Sequence, residues 1–273
     1  MMSPAELAAL LRCLGCASPL RTGGAGLVCP GCGRSYAVVE GVPVMMEGLA
    51  DEAVWQAYFK TRAETLGDSE AANSYFNLRS FRIVRDNLLA LIGAPRGLAV
   101  LDLGCGTGHF SHTLAGDNRL VGVDISLEMA AFARNKGLAA VQSTATTLPF
   151  AAGAFDLVIA NNIIQSFRDG RPFVAEASRV LRPGGRFILS ATNGRNLAMS
   201  ALRRLERRKY RHLGVYSASI LGGLIREAGL EIVSSLFFHF PQGTVSRIRR
   251  GFRVGSLNDR LASTVAVEAV KPA

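Results

Sequence analysis

The sequence predicts an α/β protein with a mostly parallel sheet, an antiparallel last strand and a small four-cysteine ribbon at the N-terminus. Three observations carry this prediction. Two Cys-x-x-Cys pairs stand within the first 32 residues. Beyond residue 96, short apolar runs of strand length alternate with helical patterns, which is typical of a parallel sheet. One of those runs leads directly into a glycine-rich turn, as happens where open parallel sheets bind ligands.

The N-terminal ribbon rests on Cys13-Leu-Gly-Cys16 and Cys29-Pro-Gly-Cys32, with twelve residues between the pairs. Four thiolates at this spacing suit a tetrahedral Zn²⁺ with no open position, so we predict a structural zinc site at Cys13, Cys16, Cys29 and Cys32. A rubredoxin-like iron site is the alternative. Disulfides are not expected, because we identify no export signal before the cysteines. The run from Ser35 to Val44 predicts two short strands around a tight turn.

We predict three parts of the chain: a zinc ribbon over residues 1–47, a helical linker or cap over 48–95, and the sheet domain over 96–273. With 273 residues, 49% of them hydrophobic, the chain can bury one full core and carry a small extra module. Its longest apolar runs fall well short of the roughly 20 residues that a membrane span requires. We therefore expect no transmembrane anchoring and a cytoplasmic location.

The positive charge is concentrated in the C-terminal third. The net charge is +10, and two runs, Arg195 to Arg211 and Arg247 to Arg253, contain seven and four basic residues against a single acid. We expect the first run on an amphipathic helix over Leu197 to Tyr210 and the second in a loop. These basic segments, residues 193–216 and 239–262, are predicted on the substrate side of the sheet, where they suit an acidic or lipid-like small molecule or else RNA.

The glycine-rich turn is the chemical centre of the sequence. The run Ala99 to Leu103 predicts a buried strand that enters Gly104-Cys-Gly-Thr-Gly108, with a helix expected after it. His109 stands where a dinucleotide fingerprint would require its third glycine, which argues against NAD. A second predicted strand ends at Asp124, twenty residues after Gly104, where a carboxylate can accept hydrogen bonds from both hydroxyls of a ribose.

Further motifs follow in a fixed order: Leu148-Pro-Phe150, Gly153-Ala-Phe-Asp156, a strand ending at Asn161-Asn162, and Leu181-Arg-Pro-Gly-Gly185 before another strand. Together with the glycine loop, this series resembles the class I S-adenosylmethionine-dependent methyltransferases, which have a Rossmann-like sheet, and especially the branch that acts on small molecules and quinone precursors. The resemblance is strong over about residues 97–192. The ribbon is also similar to zinc-ribbon methyltransferase activators and to ribosomal-RNA guanine methyltransferases.

The resemblance implies a set of residues that hold S-adenosylmethionine. The loop from Asp102 through Gly104 and Gly106 to Gly108 would pack on the methionine part, and Asp124 would hold the ribose. Implied further contacts are Ile125 beside the adenine, Thr144 near the adenine amino group and Asn161 facing the methyl donor. Family members usually carry an acid near the position of Thr144, and this sequence has none there.

The sequence offers no obvious catalytic base. Methyl transfer from a sulfonium is an in-line displacement, so alignment and exclusion of water matter most. The candidates for the catalytic role are the amides of Asn162 and Gln165 and the imidazole of His109. Cys105 lies within the glycine loop and is interpreted as a packing residue.

We therefore predict a methyltransferase that uses S-adenosylmethionine and acts on an anionic or amphipathic small molecule. Two alternatives stay open at this point. The first is an RNA methyltransferase acting on ribosomal or transfer RNA bases, which the ribbon and the basic segments favour. The second is a non-catalytic protein that binds the cofactor and acts as a partner, which the missing base allows.

Overall fold

A computed structural model describes residues 2–24, 26–46, 53–73, 78–205, 213–239, 244–249 and 261–273. Its strands are β1 (Arg21–Gly23), β2 (Gly26–Val28), β3 (Ser35–Val39), β4 (Val42–Met45), β5 (Ala99–Leu103), β6 (Arg119–Asp124), β7 (Ala139–Ser143), β8 (Phe155–Asn161), β9 (Leu181–Thr192), β10 (Glu231–His239), β11 (Thr244–Arg249) and β12 (Thr264–Val270). Its helices are α1 (Pro4–Leu10), α2 (Ala53–Leu66), α3 (Leu78–Ile92), α4 (Leu127–Asn135), α5 (Arg171–Val180), α6 (Leu197–Leu205) and α7 (Ala218–Glu227).

All described strands belong to one sheet in the order β1-β2-β3-β4-β7-β6-β5-β8-β9-β12-β10-β11. Strands β7, β6, β5, β8 and β9 are mutually parallel, and β12 runs antiparallel to both β9 and β10. The predicted α/β class with an antiparallel last strand is confirmed. Strand β5 is buried at all five positions because both faces of the parallel sheet are covered.

The ribbon is joined to the main sheet, which the sequence did not predict. Strand β4 pairs in parallel with β7, with Val44 opposite Gln142. Leu11 and Tyr36 share a core cluster with Phe150, and the Arg12 N–H donates to the carbonyl of Pro149 over 2.9 Å. The ribbon therefore extends the sheet by edge pairing and shares its hydrophobic core.

The described residues between ribbon and sheet are mostly helical. Helix α2 and a one-turn 3₁₀ helix, Glu70–Asn73, precede α3. One stripe of α3 is buried against the sheet, with Phe81, Val84, Leu88 and Ile92 at helical spacing. Its C-terminal carbonyls accept hydrogen bonds from the half-buried guanidinium of Arg186. This helix therefore covers one face of the sheet beside the cleft described below.

Two predictions about local structure were wrong. A 3₁₀ turn, His112–Leu114, stands where a helix was expected after the glycine loop. Gly106 and Gly108 have φ values of +53° and +81°, outside the helical region, so the chain leaves the strand through a wide turn. Arg247 and Arg249 lie in strand β11 and not in a loop, because residues 244–249 form a hairpin with β10.

Much of the two basic segments lies outside the described residues. Helix α6 begins at Leu197 as predicted and is described to Leu205, while residues 206–212, 240–243 and 250–260 lie outside. The prediction that these basic segments meet an acidic or lipid-like molecule or RNA therefore stays a prediction. Within the described ranges, no helix is long and apolar enough to cross a membrane.

Candidate active site

A cleft of about 880 Å³ opens at the carboxyl ends of the central parallel strands. We call it the main cleft. Its floor is the glycine loop after β5 and the ends of β6, β7 and β8, and its walls are aromatic. The aromatic residues come from the cap, from the segment after β5 and from the segment after β8: Trp55, Phe59, Phe81, Phe110 and Phe167. A cleft at the carboxyl ends of parallel strands, lined by aromatic residues and a glycine loop, suits a nucleoside-sized ligand.

Backbone hydrogen bonds hold the glycine loop against strand β6. The Gly104 and Cys105 N–H groups both donate to the carbonyl of Val123, over 2.8 and 3.0 Å. The Gly106 N–H donates to Oδ2 of Asp124 over 2.8 Å, and the Ser126 N–H donates to its Oδ1 over 2.9 Å. Asp124 therefore fixes the loop and faces the cleft from the end of β6.

Two buried carboxyls lie beneath the loop. Burial raises the pKa of Asp124 to about 6, against hydrogen bonds from backbone N–H groups that lower it. Burial also raises the pKa of Asp102 to about 7. The Ser111 hydroxyl, which donates to Oδ2 over 2.5 Å, lowers this pKa, and the charge of the nearby Asp124 raises it. The pocket is therefore tuned for a ligand that offers hydrogen-bond donors or positive charge to these carboxyls.

The cap contacts the glycine loop through Asn73. Oδ1 of Asn73 accepts the Thr107 N–H over 2.8 Å, and its Nδ2 donates to the Thr107 hydroxyl over 2.7 Å. A Cβ at Gly106 would lie 1.9 Å from that Oδ1, so only glycine fits there. Asn73 was missed by the sequence analysis, because no spacing or motif marks a single asparagine in a linker.

The side of the cleft predicted for adenine is built from neutral groups. Ile125 and Thr144 both line it, and the Gln142 amide donates to the Ile125 carbonyl over 3.0 Å. The Thr144 hydroxyl lies 3.2 Å from the hydroxyl of Thr146. The hydroxyls of Thr144 and Thr146 therefore supply the polar side-chain groups at this position.

Most of the predicted cofactor residues come together. Those that line the main cleft are Asp102, Gly104, Gly106, Asp124, Ile125, Thr144 and Asn161, with the candidate Asn162 beside them. Gly108 lies outside its lining and packs against Ala133. His109 also lies outside, with Nε2 3.3 Å from Oδ1 of Asp68, and burial followed by the charge of Lys136 lowers the pKa of this histidine.

A second cleft of about 660 Å³ adjoins the first, and we call it the adjoining cleft. The two share several lining residues, among them Trp55, Phe59 and Asn162. Gln165 lines the adjoining cleft, next to Ser166 and Thr192. The described residues around it include no ionisable side chain. This cleft therefore offers a neutral, partly aromatic space next to the glycine loop.

The four ribbon cysteines also come together. Their Sγ atoms all lie within 4.8 Å of one another, with Cys13 and Cys32 3.5 Å apart and Cys16 and Cys29 3.4 Å apart. Tetrahedral zinc with bonds of about 2.3 Å sets its sulfur atoms about 3.8 Å apart, so the cluster has the right size. The Tyr36 hydroxyl lies 3.2 Å from Sγ of Cys13, where it can donate to a metal-bound thiolate.

Comparison with known proteins identifies the central domain. Residues 101–189 match the family model described as a methyltransferase domain. A malonyl-[acyl-carrier protein] O-methyltransferase from Hahella chejuensis is 39% identical over 132 residues, 45% of this chain and 47% of the relative. A demethylmenaquinone methyltransferase from Lactococcus lactis is 28% identical over 137 residues, 46% of this chain and 54% of the relative. The chain thus spans about half the length of these curated relatives.

Solved structures agree on the fold. A chain in the complex between the Haloferax volcanii Trm112 methyltransferase activator and a methyltransferase covers 79% of this chain and 98% of its own length, with 20% identity and a TM-score of 0.59. Magnesium protoporphyrin IX methyltransferase from Synechocystis with bound S-adenosylhomocysteine covers 81% of this chain and 99% of its own length, with 17% identity and a TM-score of 0.59.

The chain therefore contains a methyltransferase domain that matches over residues 101–189, and its sheet has the same fold as the solved methyltransferases named above. More particularly, its methyltransferase domain follows a four-cysteine cluster that is compatible with a zinc ribbon.

Proposed function

We propose that this protein transfers a methyl group from S-adenosylmethionine to a small, largely apolar molecule. The observation that carries the proposal is the pairing of Asp124 with the glycine loop at the floor of the main cleft. Asp124 holds the Gly106 N–H and ends strand β6, as expected of a carboxylate that accepts hydrogen bonds from a ribose. The family match of residues 101–189 supports the same cofactor.

The residues present fit the cofactor part by part. Gly104 and Gly106 let backbone groups approach the methionine portion closely, Asp124 would hold the ribose, and Ile125 with Thr144 would enclose the adenine. S-adenosylmethionine, when bound, supplies an electrophilic methyl group on a sulfonium. The protein then contributes alignment and exclusion of water, for which Trp55 and Phe59 form an apolar wall.

A small-molecule substrate is favoured over RNA. The adjoining cleft is neutral and partly aromatic, and the named relatives act on a carrier-bound malonyl group or on demethylmenaquinone. The match spans only about half of each relative, so the substrate of the relative is not assigned to this chain. The described residues that line the adjoining cleft are neutral, which favours an apolar or amphipathic substrate over an anionic one. Free cysteines in the ribbon fit a reducing compartment such as the cytoplasm.

We also propose that the four cysteines bind one structural Zn²⁺. The proposal is supported by the spacing of their Sγ atoms and by the Cys13 and Cys29 N–H groups, which are held by carbonyls in tight turns. A four-thiolate site has no open position, so its role would be to fold the ribbon.

Calorimetric titration with S-adenosylhomocysteine tests the cofactor site. We expect one binding site in the wild type, and no measurable binding in Asp124→Ala, because the ribose loses its acceptor. Gly106→Ala should weaken binding by at least about tenfold, since its Cβ would clash with Asn73.

Gly153→Ala is the matched control for Gly106→Ala. Gly153 also has a positive φ, +68°, but its Cβ would meet only ordinary contacts, and the residue lies outside the lining of the main cleft. We expect this variant to keep wild-type affinity. Equal binding by the wild type and Asp124→Ala would contradict the site. Absence of binding in the wild type would contradict the enzyme and favour a partner protein that acts through its ribbon.

A further inference from the structure

Two buried amide oxygens beside the clefts have no hydrogen-bond partner. Oδ1 of Asn162 and Oε1 of Gln165 are both enclosed, and neither accepts a hydrogen bond from any group in the described part of the chain. Gln165 is 7% exposed, and both residues line the adjoining cleft. A buried acceptor without a donor is costly, so two of them among the residues of one cleft indicate that a ligand supplies the donors.

The orientation of both amides is fixed by their other ends. Nε2 of Gln165 donates to the backbone carbonyl of Asn162 over 2.6 Å, so turning the amide would set two oxygens against each other. Nδ2 of Asn162 likewise faces Oδ1 of Asn161 at 3.5 Å, and that oxygen already accepts the Ser190 hydroxyl over 2.7 Å. The free atom of each amide is therefore the oxygen, an acceptor.

The backbone holds Asn162 in an unusual conformation at this place. Its φ is +55°, in the left-handed region that only a few non-glycine residues adopt. The Asn162 N–H is directed to Ser190, with 3.1 Å to the carbonyl and 3.0 Å to the hydroxyl. A strained residue held firmly at a cleft is a common feature of binding sites.

The surroundings define the chemistry of the missing donor. A carboxylate would bring further acceptors against two oxygens, and an ammonium would enter a cleft whose described lining has no counter-charge. Trp55, Phe59 and Phe81 line the same cleft and suit a flat apolar body. The fitting group is therefore a neutral O–H or N–H on an aromatic molecule.

We propose that Asn162 and Gln165 are substrate-positioning residues that accept hydrogen bonds from a neutral hydroxyl or amine on an aromatic methyl acceptor. This inference rests on the proposed function and adds the class of substrate to it. The two amide oxygens orient the acceptor but cannot take its proton. As the bond from the methyl group to the sulfonium breaks and the new bond to oxygen or nitrogen forms, that proton passes to solvent, and S-adenosylhomocysteine is left.

Binding to the protein loaded with S-adenosylhomocysteine tests the inference without turnover. Trp55 is the single tryptophan of the chain and lines the adjoining cleft, so its fluorescence reports occupancy. The probes are 4-tert-butylphenol, its methyl ether 4-tert-butylanisole and the anionic 4-tert-butylbenzoate. We expect the phenol to bind about 5- to 30-fold more tightly than the ether, and the benzoate to bind most weakly.

Variants then assign the preference to the two amides. Gln165→Leu and Asn162→Gly should each reduce the preference for phenol over ether severalfold, and Asn162→Gly keeps the left-handed backbone accessible. Thr192→Val is the matched control, because it replaces a polar group of the same cleft with an apolar one of the same shape. We expect this control to retain the full preference.

Several results would overturn the inference. They are equal binding of phenol and ether, strongest binding by the benzoate, no binding by any probe, or a preference lost in Thr192→Val and kept in Gln165→Leu. A loss of S-adenosylhomocysteine affinity in Gln165→Leu with an unchanged phenol preference would mean that the amides serve the cofactor. Failure of S-adenosylhomocysteine to bind the wild type would instead contradict the proposed function, so the two failures are distinguishable.

Discussion

Asp102 and Asp124 show how single residues relate stability to binding in this protein. Both are buried beneath the glycine loop, and burial raises the pKa of each carboxyl, to about 7 and about 6. Ionising them in the folded protein without a ligand is therefore unfavourable. A ligand that donates hydrogen bonds to these two carboxyls would therefore stabilise their ionised forms.

Asp102→Asn should stabilise the protein in a pH-dependent way. The folded pKa of Asp102 lies above its unfolded value, so its contribution to stability is full below about pH 4 and is lost as the pH rises through about 7. A permanently neutral asparagine avoids this loss and can still accept the Ser111 hydroxyl. We expect a gain on the order of 3 kcal/mol in the free energy of unfolding at about pH 8 and almost none at about pH 4, measured by urea denaturation.

Asp117→Asn provides the comparison for this variant, because Asp117 is exposed and precedes β6, at the end of that strand away from the main cleft. It should leave the free energy of unfolding unchanged at both pH values. An equal loss of stability at both pH values in Asp102→Asn would contradict the account of Asp102.

Individual site residues were predictable only where a sequence pattern marks them. Asp124 follows a strand at a fixed distance from Gly104, and the cysteines stand in pairs, so both could be identified. Asn73 has no such pattern, because its contact with Thr107 depends on how the cap packs over the loop. The free oxygens of Asn162 and Gln165 likewise follow from hydrogen bonding in three dimensions.

At the scale of elements, the pairing of β4 with β7 makes the ribbon part of the methyltransferase sheet. Strand β7 ends at Ser143, and Thr144 lines the main cleft directly after it. The segment that follows contacts the ribbon through Phe150, which forms a bridge with Leu11. Whether the ribbon is folded should therefore affect the stability of the whole sheet as well as the stability of the ribbon.

Since we propose that the four cysteines bind zinc, we expect a zinc chelator to lower the melting temperature reported by Trp55, which lies in helix α2 and outside the ribbon. Because the ribbon and the sheet share one core cluster, we expect a shift of several degrees, where each 1 kcal/mol corresponds to about 2–4 °C. The measurement is thermal unfolding followed by Trp55 fluorescence, with and without a zinc chelator. Cys16→Ser should melt at the lower temperature and show no further response to chelator.

The matched control for Cys16→Ser is Cys105→Ser, at a buried cysteine outside the cluster. It should respond to chelator as the wild type does. A Trp55 transition that does not move when zinc is removed would mean that the ribbon folds independently of the sheet.

Elements differ in how far the sequence determines them. The buried strands β5 and β8 were predicted from continuous apolar runs between glycine-rich or polar turns. The β4–β7 pair joins residues almost a hundred positions apart, and edge pairing leaves no periodic pattern. Strand β11 was missed for a related reason, because a run of arginines is typical of a solvated loop and its strand character comes from pairing with β10.

At the scale of the whole molecule, the order of the motifs predicted the fold class. It did not predict the adjoining cleft, where we place the substrate. The main cleft forms where the central parallel strands end, as the topology of such sheets requires. The adjoining cleft forms between aromatic residues of the cap and the segment that follows β8. Local sequence patterns do not predict that these two distant segments lie together. The central claim about this protein is therefore that the main cleft holds the cofactor.

A crystal structure of the protein with S-adenosylhomocysteine tests that claim most directly. The predicted result is electron density in the main cleft, with the ribose hydroxyls on Asp124 and the adenine between Ile125 and Thr144. Density at another place on the molecule, or a ribose that makes no contact with Asp124, would contradict it.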